Sequence, residues 1–317
     1  MKKILANDGL SGSGIKKLIN YGFQVITDKV PQEELISYIN TNQIDVLLVR
    51  SATKVRKDII DNCPSLKIIG RGGVGMDNID VEYAREKGLK VINTPAASSE
   101  SVAELVFAHL YSGIRFLYDS NRQMPSSGNT EFEKLKKAYA GGIELRGKTI
   151  GIIGMGRIGI EVARIALGLR MKVIAADTFV GKANIEVDFY NGQSINVDII
   201  TEPIEQILKE ADIITLHVPA QKGFVIGKEQ LNMMKDGVML INCARGGVID
   251  EEALLEALDS GKVRFAGLDV FENEPAPSDK ILAHSKISLS PHIGAATLEA
   301  QDRIGEELAD QINEILS

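Results

Sequence analysis

The chain has 317 residues, 44% of them hydrophobic and 25% charged, with a formal net charge of −7 at pH 7. That is enough chain for two domains with real cores, and the acidic balance argues against nucleic acid as the main partner, because phosphate binding needs a basic patch. The two cysteines, Cys63 and Cys243, have no metal-ligand or disulfide-framework spacing, so no metal site is expected and the chain reads as reduced and cytoplasmic. No apolar stretch is long enough to span a membrane, and the first residues lack a signal-peptide core.

Over the first hundred residues, short β-rich runs at 3–6, 24–27, 46–49, 68–70 and 90–93 alternate with helix-like segments such as 31–41 and 81–87. Such alternation implies a mostly parallel sheet with helices on its faces. A helical pattern follows from 101 to about 118, and the polar stretch 124–129, with Pro125 and Gly128, reads as a loop. A second α/β series starts at Lys148, with a strand at 149–154, a helix at 157–169 and a strand at 172–177. Later strands are expected at 213–218, 238–242 and 265–270, and a terminal helix over 295–316. One segment breaks the rhythm: 185–190 and 193–199 flank Asn191-Gly192, the pattern of a β-hairpin whose type I′ turn needs positive φ at both central residues. The fold class is α/β, with two Rossmann-like/flavodoxin-like parallel-sheet domains. Residues 99–292 form a nucleotide domain inserted into a substrate domain built from 1–98 and 293–317.

The clearest motif is Gly154-Met155-Gly156-Arg157-Ile158-Gly159, straight after the apolar run Thr149-Ile150-Gly151-Ile152-Ile153. In this setting Gly154 allows the tight turn, Gly156 lets backbone N–H groups approach a pyrophosphate, and Gly159 lets the helix pack closely on the sheet. The helix N-terminus adds partial positive charge, and Arg157 can neutralise phosphate. The next strand ends in Asp177. A carboxylate there can accept hydrogen bonds from the adenosine ribose hydroxyls and would repel a 2′-phosphate, so NAD is the expected cofactor.

Three later segments place polar residues after apolar runs: Asn242-Cys243-Ala244-Arg245, Asp269-Val270-Phe271-Glu272-Asn273-Glu274-Pro275, and Ser290-Pro291-His292. Ligands of open parallel sheets bind beyond the carboxyl ends of the strands. Hydride transfer at C2 of a 2-hydroxy acid needs a proton donor–acceptor at the hydroxyl and a cation for the carboxylate. His292 supplies the first, Glu274 favours its protonated ring, and Arg245 supplies the cation. Glu272 competes structurally with Glu274 and is taken as solvent-exposed. His109 reads as a packed or partly exposed helix residue, and His284 as a loop residue.

These stretches resemble the D-isomer-specific 2-hydroxyacid dehydrogenases over nearly the whole chain, through "GIIGMGRIG", "NCARGGVIDEEAL", "AGLDVFENEP" and "SPHIGAAT". The resemblance implies Arg245 for substrate binding, Glu274 for tuning the histidine and His292 as acid/base. It also implies a cofactor site that includes Ile158, His217, Val218, Pro219, Cys243, Ala244, Asp269 and Gly294, with Asp269 near the nicotinamide carboxamide. His217 reads as contributing backbone and shape, and nothing suggests that Cys243 reacts. A homodimer is implied, with 101–145 as its contact region.

Within that family the first half is most similar to the 3-phosphoglycerate dehydrogenases, through "VRSATKV", "GRGGVGMDNID" and "NTPAASSESVAEL". That implies oxidation of 3-phospho-D-glycerate to 3-phosphooxypyruvate, a step of serine biosynthesis. The substrate site would then use Arg50, Ser51, Arg71, Gly72, Gly73, Val74 and Ser98. Gly72-Gly73-Val74-Gly75 would form a backbone N–H nest for the carboxylate, and Arg50 and Arg71 would hold the phosphate. Many such enzymes carry asparagine where Ser98 stands, and the chain ends at Ser317 without the regulatory extension that some have. The alternatives are a glyoxylate or hydroxypyruvate reductase of the same family, or a dinucleotide-sensing corepressor that works by protein binding.

Overall fold

Short aliphatic runs become central strands because a parallel sheet covered on both faces needs apolar side chains on both. In the computed structural model, which describes residues 1–317, five such runs are β1 (Lys3–Ala6), β2 (Gln24–Ile26), β3 (Val46–Val49), β4 (Ile68–Arg71) and β5 (Lys90–Asn93). They pair in parallel in the order β2-β1-β3-β4-β5, the flavodoxin-like arrangement. All four residues of β3 are buried. The connecting helices are α1 (Gly12–Asn20), α2 (Leu35–Asn42), α3 (Lys57–Asn62) and α4 (Val81–Glu86).

Three helices follow: α5 (Ser99–Ile114), α6 (Leu117–Ser127) and α7 (Phe132–Ala138). Here the structure corrects the sequence reading twice. The helix expected to reach about 118 stops at Ile114, where Phe116 turns left-handed with φ +55°. The expected loop at 124–129 is helical through Ser127, with Pro125 inside α6. Proline removes one helical hydrogen bond, but α6 buries no residue, so water can take the orphaned carbonyl.

The second sheet is built from β6 (Thr149–Ile153), β7 (Lys172–Ala176), β10 (Ile213–Leu216), β11 (Val238–Asn242), β12 (Val263–Leu268) and β13 (Ile287–Leu289). Its order is β13-β12-β11-β10-β6-β7, parallel throughout. One apolar layer packs on it from α9 (Ile204–Glu210), α10 (Lys228–Met233), α11 (Glu251–Ser260) and α12 (Asp279–Ala283), through Ile207, Leu231, Leu254 and Ile281. The opposite layer comes from α5 and α8 (Arg157–Gly168), through Val106, Leu110, Val162 and Ala166.

The hairpin consists of β8 (Lys182–Asp188) and β9 (Ser194–Ile200), antiparallel with Asp188 opposite Ser194. Its turn differs from the expected type I′ form. Gly192 has φ +81°, but Asn191 is not in the left-handed region. The N–H of Phe189 donates to Gln193 O, and that of Gly192 to Phe189 O. This is a longer loop ending in a left-handed glycine, in which only one positive φ is required.

The last helix is α13 (Leu298–Leu316). It meets α1 at two glycines, since a Cβ on Gly14 would sit 2.6 Å from Gly305 Cα. Met1–Ser101 with Ala295–Ser317 form one compact unit and Val102–Gly294 the other. The breaks therefore fall after Ser101 and Gly294, where the sequence placed them after 98 and 292. No helix is long and apolar enough to cross a membrane.

Candidate active site

The turn from β6 into α8 shows why each glycine of the motif is required. Gly154 takes φ +101°, and a Cβ there would lie 2.6 Å from His217 O at the end of β10. A Cβ on Gly159 would collide with Gly154 O. Gly156 differs, because nothing lies within 4 Å of where its Cβ would be. That space opens on a cavity of about 510 Å³, bounded by Gly154, Gly156, Asp177, His217, Val218 and Pro219 among others. The cavity lies at the strand ends where the sheet order reverses, between β7 and β10 on either side of β6, the usual position for a dinucleotide. Arg157 is exposed at the first turn of α8, whereas Ile158 packs partly buried against the apolar layer.

Asp177 follows β7. Its carboxylate accepts from the N–H of Met155 (2.7 Å), Phe179 (2.7 Å) and Val180 (2.9 Å). Burial pushes this acid up, but the three N–H donors outweigh it and hold the carboxyl below its ordinary value. The group is thus ionised at neutral pH and also ties the glycine turn to the end of β7, a role not visible in the sequence.

His217 follows β10, with Nε2 3.0 Å from Thr215 Oγ1. The residue as a whole is half-buried, yet its Nδ1 is sealed from solvent and has no hydrogen-bond partner. Burial pushes the imidazole down to about 3. In an unfolded chain the same ring protonates near 6.5, so the unfolded state binds the extra proton between those values. Stability from the neutral ring is complete above pH ~6.5 and is lost as pH falls towards 3. The slope should be below about 1.4 kcal/mol per pH unit, since the residue is not fully sealed. Thermal melts between pH 6.5 and 4 should fall more steeply for wild type than for His217→Leu. Parallel slopes would rule out His217 as the cause.

The loops after β11, β12 and β13 are neighbours because those strands are. After β11, Asn242 Nδ2 donates to Arg245 O (2.9 Å), and Asn242 Oδ1 accepts from Ala244 N (3.0 Å). Arg245 Nη1 donates to Ala244 O at 2.6 Å. Gly246 is required because a Cβ there would collide with Phe271 O. Cys243 and Ala244 are buried, and burial, with the Asp269 charge, pushes the Cys243 thiol far up, which leaves it inert.

After β13, His292 adopts φ +54° and places Nδ1 2.8 Å from Glu274 Oε2. Both side chains are part-exposed, at 45% and 34%, so the pair is fixed but reachable. Glu274 Oε1 is held by the N–H of Phe271 at 3.0 Å. Glu272 is exposed, as expected, but it accepts from Glu251 N at 2.9 Å while its own N–H donates to Glu251 Oε1 at 2.8 Å. It therefore anchors this loop to the start of α11.

Asp269, which the resemblance places beside the nicotinamide carboxamide, is 1% exposed, and its carboxylate is held by three donors. Oδ1 accepts from Ser290 Oγ (2.6 Å) and Ile293 N (2.8 Å), and Oδ2 from Gly294 N (2.8 Å). It organises the His292 turn. His109 is a packed helix residue at 4% exposure, within the sequence reading, but its hydrogen bonds to Ser288 and Ser290 at 2.9 Å each were not foreseen.

In the other unit, Arg50 follows β3 and Arg71 ends β4, with Val49 and Arg71 paired across the ladder. The loop carrying Arg50 and the exposed Ser51 is held by Asp8, which accepts from Arg50 N, Thr53 N and Thr53 Oγ1, and by Asn78, which donates to Arg50 O and Thr53 O. The expected nest is narrower than the four residues suggested. Gly72 N–H goes to Val49 O and Gly73 N–H to Thr94 Oγ1; the N–H groups of Val74 and Gly75 stay available. Gly73 takes φ +141°, and the Arg71 guanidinium occupies the place of its missing side chain. Ser98 is buried, at 1% exposure.

Comparison with known proteins agrees with this geometry. The model of the D-isomer specific 2-hydroxyacid dehydrogenase, NAD binding domain, matches residues 107–294. The chain is 44% identical to the hydroxypyruvate reductase of Thermotoga maritima, covering 98% of this chain and 97% of that protein. It is 42% identical over all of its length to the D-3-phosphoglycerate dehydrogenase of Methanocaldococcus jannaschii, of which it spans 58%. Among solved structures, the D-lactate dehydrogenase of Aquifex aeolicus complexed with NAD and lactic acid superposes with a TM-score of 0.74 at 29% identity, covering all of this chain and 95% of that one. The glycine turn thus belongs to a nicotinamide-dinucleotide domain, and the chain is a member of the D-isomer specific 2-hydroxyacid dehydrogenase family.

Proposed function

We propose that the protein interconverts a D-2-hydroxy acid and its 2-oxo acid with NAD(H). The observation that carries this is the His292–Glu274 pair at 2.8 Å, at the strand ends of the sheet that bears the glycine turn. Gly154, Gly156 and the first turn of α8 would hold the pyrophosphate, and Asp177 the ribose. A nicotinamide held there would supply the hydride acceptor for C2 in oxidation and the hydride donor in reduction. His292 takes the hydroxyl proton in oxidation and gives it back in reduction. Glu274 fixes the ring through Nδ1, which leaves Nε2 for the substrate oxygen. Arg245 holds the carboxylate with charge-assisted hydrogen bonds. The test is absorbance at the reduced-nicotinamide band with a panel of D-2-hydroxy acids and 2-oxo acids; no turnover on any of them would sink the proposal.

For the substrate, we infer 3-phospho-D-glycerate, with the phosphate on Arg50 and Arg71. The 42% identity to the M. jannaschii enzyme supports this reading. Alanine variants of either arginine should lose about tenfold or more on 3-phosphoglycerate, the scale of a charge-assisted hydrogen bond, and little on unphosphorylated hydroxy acids. Equal losses on both substrates would make these arginines structural. A second reading, reduction of hydroxypyruvate or glyoxylate, is favoured by the 44% identity to the T. maritima reductase. Higher kcat/KM on hydroxypyruvate than on 3-phosphoglycerate would select it. We also infer a homodimer, because α5, α6 and α7 expose Tyr111, Leu117, Met124 and Phe132. Sedimentation as a monomer at micromolar concentration would overturn that.

A further inference from the structure

His109 is a buried imidazole with no part in the proton transfer above, yet both ring nitrogens are engaged. Nδ1 lies 2.9 Å from Ser288 Oγ and Nε2 lies 2.9 Å from Ser290 Oγ. Ser290 Oγ in turn donates its one hydrogen to Asp269 Oδ1 at 2.6 Å. A hydroxyl has a single proton, so Ser290 must accept from His109, and Nε2 carries the hydrogen. Nδ1 is then the acceptor from Ser288. The direction of the whole chain follows: Ser288 to His109, His109 to Ser290, Ser290 to Asp269.

The chain ends on the carboxylate that shapes the His292 turn. Asp269 Oδ1 and Oδ2 accept from Ile293 N and Gly294 N, and Asp269 O accepts from His292 N at 2.9 Å. His292 itself sits at φ +54°, a conformation disfavoured for a residue with a side chain and retained only where its surroundings impose it. The imidazole is placed by close packing of α5 on β12, since a Cβ on Gly267 would lie 2.7 Å from His109 Cβ. Asp269 is the charged group facing His109, and Glu274 is the one paired with His292. Burial keeps the His109 ring towards its neutral form, the state this chain of donors requires.

We propose that His109 is a positioning residue that holds the His292 turn through Ser290 and Asp269. This rests on His292 being the acid/base of the proposed reaction, so the test has a readout that does not need turnover. In the full chain, His109→Leu, Ser290→Ala and the double variant would be compared by ring ¹⁵N resonances of His292 and by kcat. Each single variant should move the His292 ring signals and lower kcat about tenfold, the scale of a small misplacement of a catalytic group. The double variant should be no worse than the worse single one, because both break one chain. His109→Gln, whose amide N–H can replace Nε2–H, should restore most of the rate where leucine does not. Unmoved His292 signals, additive losses, or a glutamine variant no better than leucine would overturn the inference. If wild type shows no turnover, the proposed reaction fails, and the His292 signals alone decide the positioning role.

Discussion

His292→Ala should lower turnover by about a hundredfold or more in both directions, the contribution expected of a positioned general acid–base. Reduced-cofactor affinity should change little, because the ring pairs with Glu274 and not with the glycine turn. Single-turnover kinetics with fluorescence titration of NADH separates the two quantities. Glu274→Gln is the finer probe. Its amide oxygen can still accept from Nδ1, so the ring stays oriented, but the ring loses its counter-charge, and turnover should fall by about tenfold, less than in His292→Ala. Unchanged turnover would remove Glu274 from the mechanism. Near-normal turnover of His292→Ala would remove His292 as the acid/base of the reaction.

The parts of this site that were legible in the sequence are those where one residue type has one physical use at one place in a strand–turn–helix. Gly154, Gly156 and Gly159 fall in that class, and the structure supplies a reason for each: a neighbouring strand-end carbonyl, an open cradle and the close packing of α8 on the Gly154 turn. His292, Glu274 and Arg245 were legible as residue types at strand ends. What the sequence hides is the scaffold behind them. His109 occupies an ordinary position in an apolar helix, and its partners lie 179 and 181 residues away in the chain. Asp269 stands at a strand end like a ligand contact, and the sequence gives no sign of its hydrogen bonds to Ser290, Ile293 and Gly294. Asp8, just after β1, and Asn78, in the loop before α4, fix the Arg50 loop. The Asn191-Gly192 pair correctly marks a hairpin, but the dipeptide suits more than one loop length, and the flanking register settled the longer one. Pro125 likewise marks a weak point without ending α6, because an exposed helix leaves its lost hydrogen bond to water.

Asp177→Ala should collapse the preference for NADH over NADPH, and it should do so mainly by weakening NADH. Two effects of the ionised carboxylate act together. It can accept hydrogen bonds from the ribose hydroxyls and repel a 2′-phosphate, and in the folded chain it already binds Met155 N at 2.7 Å. Met155 stands between Gly154 and Gly156, so the same group that reads the ribose also holds the pyrophosphate turn against β7. Hydrogen bonds to a charged group contribute about 1.5–3 kcal/mol, so kcat/KM for NADH should fall roughly 10- to 100-fold. With NADPH the lost tether and the removed repulsion oppose each other, and the net change should be small. Asp177→Asn separates the effects: its amide oxygen can keep the Met155 contact while the charge is gone, so NADH binding should be weakened less and NADPH use should rise. Steady-state kinetics with both cofactors, on wild type and the two variants, measures all three. Wild type that uses NADPH as well as NADH, or an alanine variant that keeps the wild-type ratio, would show that cofactor choice rests on another part of the cavity.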